Sequence, residues 1–229
     1  MPKNTQNEIR TYAYILKRTN YAEADRILNL ITPSGKMVAI AKGVRKPKSK
    51  LAGGVEMFSL VDLNIHKGKS EFGVITSAKM LKYCGNILLD LNKMELAGMI
   101  LKKVSLLSEN LDNPEFFTIV DQSMMALDKN VGINLIETWF WLNLAKASGE
   151  EINLYRDTTG EKLREEEKYV WDNTEGALSV NNYGEIGVNE IKMMRLMLAV
   201  ELSVVERVKN VDGATLSKIL KIARAVNKC

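Results

Sequence analysis

Residues 21–50 read YAEADRILNLITPSGKMVAIAKGVRKPKSK, and this stretch decides the fold. From Arg26 to Thr32 the chain alternates, with Leu28 and Leu30 on one face and Ile27, Asn29 and Ile31 on the other. A period of two marks a half-buried strand. Thr32-Pro33-Ser34-Gly35 then supplies a fixed and a permissive φ for a tight connection, and Lys36 to Val44 reads as the next strand. The segment Lys42–Lys50 follows with five cations and no acid, punctuated as a loop by Gly43 and Pro47.

Working outward, Arg10 to Thr19 is rich in β-branched and aromatic residues, with Tyr12, Tyr14 and Leu16 on one face. Downstream, Val55 to His66 and Phe72 to Met80 read as strands joined by the turn Lys67-Gly68-Lys69-Ser70. Five short strands with turn signals predict a small closed barrel, for which an OB-fold is the natural candidate. An SH3-like barrel has the same periodicity and stays open as the alternative.

After Lys82 the period changes to that of helices. Ile87, Leu88, Leu91, Met94, Leu96, Met99, Ile100 and Val104 recur at helical spacing, over one helix or two. Asn113-Pro114-Glu115 is a helix start, and Asn130-Val131-Gly132 a stop. Ile133–Ser148, Val188–Val200 and Ala214–Val226 complete a helical bundle, with a short turn near Ser203–Lys209. Between Gly149 and Gly187, strand-like pieces at Ile152–Tyr155, Lys168–Trp171 and Leu178–Val180 predict a small hairpin insertion. The expected class is α+β: a five-stranded OB-fold barrel over 1–82, then a helical domain over 83–229 with a hairpin inserted at about 150–186.

Charge divides along the same line. Residues 1–82 hold 15 Lys or Arg and 6 Asp or Glu, whereas residues 83–229 hold 17 and 22. A net of +9 against −5 points to a polyanion-binding N-terminal module. A cationic loop suits a phosphate backbone, because each Lys or Arg that neutralises a phosphate releases a condensed counterion. Lys42, Arg45, Lys46, Lys48 and Lys50 are the expected phosphate contacts, with Arg26 and Lys36 as a second tier. Lys67 and Lys69 extend the track from the neighbouring turn. Tyr12, Tyr14, Tyr21 and Phe58 are the aromatic candidates for base stacking.

Catalytic constellations are missing from the sequence. His66 is the single histidine, at a strand end beside a basic turn, and reads as a surface residue. Cys84 has no activating neighbour in sequence and reads as a small packed side chain. Glu165-Glu166-Glu167 reads as a solvated acidic turn, and Ser34-Gly35-Lys36 lacks the upstream glycine of a phosphate-binding loop. Trp139, Phe140 and Trp141 sit in a predicted helix, so core packing outranks base stacking there. The apolar runs are too short to span a bilayer, the first ten residues lack a secretory signal, and two cysteines make no disulfide framework. The expectation is a cytoplasmic, non-enzymatic binding protein without cofactor or metal.

The ordered series Tyr21-Ala22-Glu23-Ala24-Asp25-Arg26, Ile31-Thr32-Pro33-Ser34-Gly35-Lys36 and Ala41–Gly53, with Phe58–Leu63 and Lys67-Gly68-Lys69, resembles the bacterial recombination mediator family RecO. The likeness is close over residues 1–82 and looser beyond. It implies an OB-fold and a nucleoid-associated protein that binds single- and double-stranded DNA and anneals complementary strands. It further implies partners: a RecR-like protein and the C-terminal tail of single-strand-binding protein, with recombinase loaded at gaps. Many RecO-like proteins carry a four-cysteine zinc module where residues 149–187 lie, but this stretch contains no Cys or His. The rival reading is an RNA-binding or ribosome-associated OB-fold protein, which shares the basic loop.

Overall fold

The computed structural model describes residues 7–68, 72–208 and 211–227. The chain forms two compact units, Met1–Asp128 and Lys129–Cys229.

In the first unit five strands, β1 (Glu8–Tyr21), β2 (Asp25–Thr32), β3 (Gly35–Ala41), β4 (Ser59–His66) and β5 (Gly73–Tyr83), close in the order β1-β2-β3-β5-β4. All pairs are antiparallel except β3 with β5. Following the pairing once round from Thr19 through Ile27, Ile40, Val74 and His66 leads back to β1 at Glu8. That offset is the register stagger that closure of a sheet requires. Ala13, Ile15, Leu28, Leu30, Ala39, Ala41, Val61, Leu63, Ile65 and Ile75 fill the interior. Val44 and Val55, expected at strand ends, leave the strands and plug this core from the β3–β4 connection.

A bulge between Ile15 and Lys17 interrupts the pairing of β1 with β2. Ile15 lies opposite the interior Leu30, but Lys17 lies opposite Asn29, which faces out. One extra residue in a strand re-aims every side chain beyond it.

Two helices, α1 (Leu91–Leu107) and α2 (Glu115–Asp128), belong to this first unit. The switch of period near Lys82 therefore marks the end of the strands, whereas the compact unit runs on to Asp128. Ile87 and Leu88 fall in a separate 3-10 turn, Gly85–Leu89. Asp90 divides it from α1 by accepting the N–H groups of Asn92 and Lys93. Asn113 accepts the Glu115 N–H at 2.9 Å, as its place before Pro114 predicts. α1 and α2 pack on the outside of β1, so four consecutive residues, Ala13 to Leu16, are buried. The Tyr14 hydroxyl donates to Asp121 Oδ1 at 2.8 Å. Burial, reinforced by that carboxylate, pushes its pKa far above the usual tyrosine range.

The second unit consists of α3 (Ile133–Ala147), α4 (Val188–Ala199), the short α5 (Leu202–Val205) and α6 (Gly213–Val226), with the hairpin β6 (Tyr169–Asp172) and β7 (Ala177–Val180). Trp139, Phe140 and Trp141 are all buried in α3, as core packing predicts. The expected strand piece at Ile152–Tyr155 forms no strand. Ile152 and Leu154 act as buried anchors, and the Leu154 carbonyl accepts from the Arg195 guanidinium in place of a strand partner. Tyr169, Leu178 and Ile186 complete the apolar plug of this insertion. Among the described residues no group of three or more His, Cys, Asp or Glu is placed to hold a metal, and no helix is long and apolar enough to cross a membrane.

Candidate nucleic-acid interface

The basic segment is a structured platform. Gly43, at φ +63°, donates its N–H to Asp25 Oδ1 at 2.7 Å. Arg45 N–H reaches the Ala24 carbonyl at 2.9 Å, so the β1–β2 turn holds the loop from the side. Lys46 N–H donates to Gly43 O and Ser49 N–H to Lys46 O, winding the segment into consecutive turns. The 3-10 turn Ala52–Gly54 rests on β5 so closely that a Cβ at Gly54 would collide with the Ala78 carbonyl. With Val44 and Val55 in the core, backbone and apolar contacts fix the loop while its cationic side chains stay in solvent.

Lys42, Arg45, Lys46, Lys48 and Lys50 are all exposed. Among the described residues none of the five meets a carboxylate. The acid nearest in sequence downstream, Glu56, is engaged by Arg18 at 2.9 Å. Arg26 stands at the root of the loop, paired across the sheet with Ala41 and held by Asn20 Oδ1 at 3.3 Å. These six cations therefore gather at one end of β2 and β3.

Lys36 does not join them. It begins β3 at the far end, forms an ion pair with Glu109 at 3.5 Å, and is only 17% exposed. The strand length separates it from the loop by roughly 20 Å, beyond the Debye length of about 10 Å at 0.1 M salt. Glu109, and Asp112 beside Gly35, consequently leave the potential of the loop intact. Lys67 is exposed at the end of β4 and shares with Lys36 a cleft of about 440 Å3, walled by Met37, Val38, Ile65 and Phe72. Lys69 lies outside the described residues.

One cation of this surface escapes a reading by alternation. Lys17 has the parity of Ala13 and Ile15 in sequence, yet the bulge turns it outward beside Asn29 and Val38. It is exposed and, among the described residues, free of ion pairs. The next row across the same outer face is Thr19, Ile27, Ile40 and Val74. OB-folds bind oligonucleotides on the strand 2–3 face and its adjoining loops.

The aromatic candidates separate sharply. Tyr14 is buried beneath α2, with its ring 5.9 Å from Phe117, and is unavailable to a base. Phe58 is half-buried at φ +57°, where the loop rejoins the barrel. Tyr12 and Tyr21 are about half exposed. Only Tyr21, opposite Asp25 at the β1–β2 turn, stands beside the cationic loop.

The groups searched for catalysis are occupied or inert. His66 Nδ1 contacts Glu8 at 3.0 Å in solvent. Cys84 is fully buried, and burial pushes its thiol up to about 11, which leaves it protonated and unreactive. Glu165 pairs with Lys192 at 2.8 Å on the surface.

Residues 6–84, the five strands and their loops, match the family model described as Recombination protein O N terminal. The chain resembles the RecO family. The DNA repair protein RecO of Dehalococcoides mccartyi (strain CBDB1) is 29% identical over 96% of this chain and 89% of its own length. That of Alkaliphilus metalliredigens is 28% identical, covering 88% and 85%. For Roseiflexus sp. (strain RS-1) identity is 31%, but the alignment covers 64% of this chain and 52% of the relative. The family match of the RecO-like chain ends one residue beyond β5, so it spans the barrel and basic loop but neither α1 nor α2.

On the last helix, the cations Lys218, Lys221 and Arg224 are paired with carboxylates of their own unit. They meet Glu190, Glu185 and Glu137 respectively, which leaves this face without a free cationic row.

Proposed function

We propose that this RecO-like chain is a DNA-binding protein of recombination repair. In this reading it holds single strands by their phosphates and anneals complementary ones. The observation that carries the reading is the set of five exposed loop cations without carboxylate partners, fixed to the barrel through Asp25 and Ala24. The segment Lys42–Lys50 contains no aromatic residue, so its contacts are to backbone charge and leave bases free to pair. Tyr21 supplies one stacking surface at the edge of the loop.

Such binding is weakly selective and strongly salt-dependent, which suits a protein that brings strands together and then releases them. Recombinase loading at gaps, with a RecR-like protein and the tail of single-strand-binding protein as partners, is part of the proposal on the strength of the family likeness. So are the absence of catalysis and a place near the nucleoid in the cytoplasm.

The test is annealing of two complementary fluorescent DNA strands by the full chain and by a Lys42/Arg45/Lys46/Lys48/Lys50→Ala variant. The proposal expects acceleration by the wild type and its loss in the variant. Tight binding to structured RNA, with no acceleration of DNA annealing, would transfer the loop to the RNA-binding reading.

A further inference from the structure

The second unit contains a small cleft that DNA binding leaves unused. Its volume is about 250 Å3, and Glu150, Glu151, Ile152, Trp171, Ala225 and Val226 form most of its wall. Ile152 is buried and makes an apolar floor. Trp171 stands on β6 with its indole N–H already donated to Asn173 Oδ1 at 3.0 Å, so it offers aromatic surface and no spare donor. Ala225 and Val226 end α6, at the negative end of the helix dipole, where Asn227 caps the carbonyls of Ala223 and Ala225. Glu150 and Glu151 are exposed on the rim and, among the described residues, have no cation beside them.

Among the described residues that wall this cleft, the charged side chains, Glu150 and Glu151, are both negative, and the end of α6 adds a negative dipole. The cations nearest on α6 are committed elsewhere, Lys221 to Glu185 and Arg224 to Glu137. An aromatic ring, two free carboxylates and a helix C-terminus all favour a cation. The volume falls below the roughly 300–1,000 Å3 of small-molecule pockets, and matches one long side chain. An apolar floor beneath an anionic rim suits an alkyl stem carrying a cationic head.

We propose that the cleft between Trp171 and the end of α6 docks a lysine or arginine side chain, presented by an apolar segment of a partner protein. A fully hydrated polyamine gains less here, because the floor of Ile152, Ala225 and Val226 rewards apolar neighbours of the inserted side chain.

The test uses the full chain with 15N-labelled indoles and two acetylated, amidated tripeptides, Leu-Lys-Leu and Leu-norleucine-Leu. Trp171→Phe assigns the resonance, which leaves Trp139 and Trp141 as internal reporters of the fold. The lysine peptide is expected to shift the Trp171 signal and the norleucine peptide to leave it in place. Glu150→Gln with Glu151→Gln should raise the Kd by roughly five-fold, as for a pair of exposed charge contacts, with the two buried indoles unmoved. The proposal is overturned if Trp171 does not respond, if norleucine binds as well as lysine, or if the double variant binds equally. Spermidine shifting the same signal more strongly than the peptide would also overturn it, by making the cleft a polyamine site.

Discussion

Asp25 Oδ1 accepts the backbone N–H of Gly43 at 2.7 Å, tying the first residue of β2 to the second residue of the cationic loop. One carboxylate thereby organises a loop of opposite charge without neutralising its side chains. The arrangement gives Asp25→Ala a sign opposite to simple electrostatics. Removing an acid beside five cations would tighten DNA binding if charge alone governed it. Loosening the loop restores entropy that binding must then remove, at about 0.5–1.5 kcal/mol per ordered side chain. The expected result is roughly three- to ten-fold weaker single-strand binding, read by fluorescence anisotropy at fixed salt. Tighter binding would show that the loop needs no anchor.

Lys17 and Lys36 make a second contrast, because sequence and structure rank them differently. Lys17→Ala should weaken DNA binding as much as loss of one loop lysine, lowering the salt slope by about 0.7. Lys36→Ala should leave the slope unchanged, since that ammonium already faces Glu109. Anisotropy titrations at several salt concentrations separate the two.

Two tyrosines of β1 should part in the same way. Tyr21→Ala is expected to cost roughly 1–3 kcal/mol in single-strand affinity and nothing for duplex, whose bases are already stacked. Tyr14→Phe removes the donor to Asp121 and should destabilise the first unit by about 1–2 kcal/mol, visible as a lower Tm. Its DNA affinity should equal that of the wild type.

The first unit was legible in sequence because its period, turns and charges agree. The alternation of residues 26–32 and the Pro-Gly turn place β2 and β3 to within a few residues, and the absence of acids from 42–50 locates the loop. What alternation missed has local physical causes. The bulge after Ile15 reverses the faces of β1 beyond it, which hides Lys17 from a reading by alternation. Burial of Tyr14 is a tertiary event, imposed by α1 and α2 from far along the chain. Lys36 reads like any other basic residue until the α1–α2 connection supplies Glu109. On α6 the even spacing of Lys218, Lys221 and Arg224 carries no trace of the three carboxylates that occupy them.

Glu190 gives the second unit a predictable acid response. Its desolvation by burial opposes ionisation, but the Gly187 N–H at 3.0 Å and Lys218 at 3.1 Å outweigh that and hold its pKa below the usual range. A group depressed in the folded state stabilises above its unfolded pKa, and the contribution fades as pH falls through the folded value. The Tm of the second unit should be flat above about pH 5 and decline below it. Glu190→Gln should lower Tm at neutral pH and flatten that decline. An unchanged acid limb would show that other carboxylates govern it.

The central claim, phosphate binding by the fixed cationic loop, is tested most directly by the salt dependence of single-strand affinity in wild type and the Lys42/Arg45/Lys46/Lys48/Lys50→Ala variant. With five contacts at about 0.7 each, the slope of log K against log salt should become shallower by roughly 3.5. Parallel lines for the two proteins would mean that DNA, if bound, is held elsewhere, and would contradict the account.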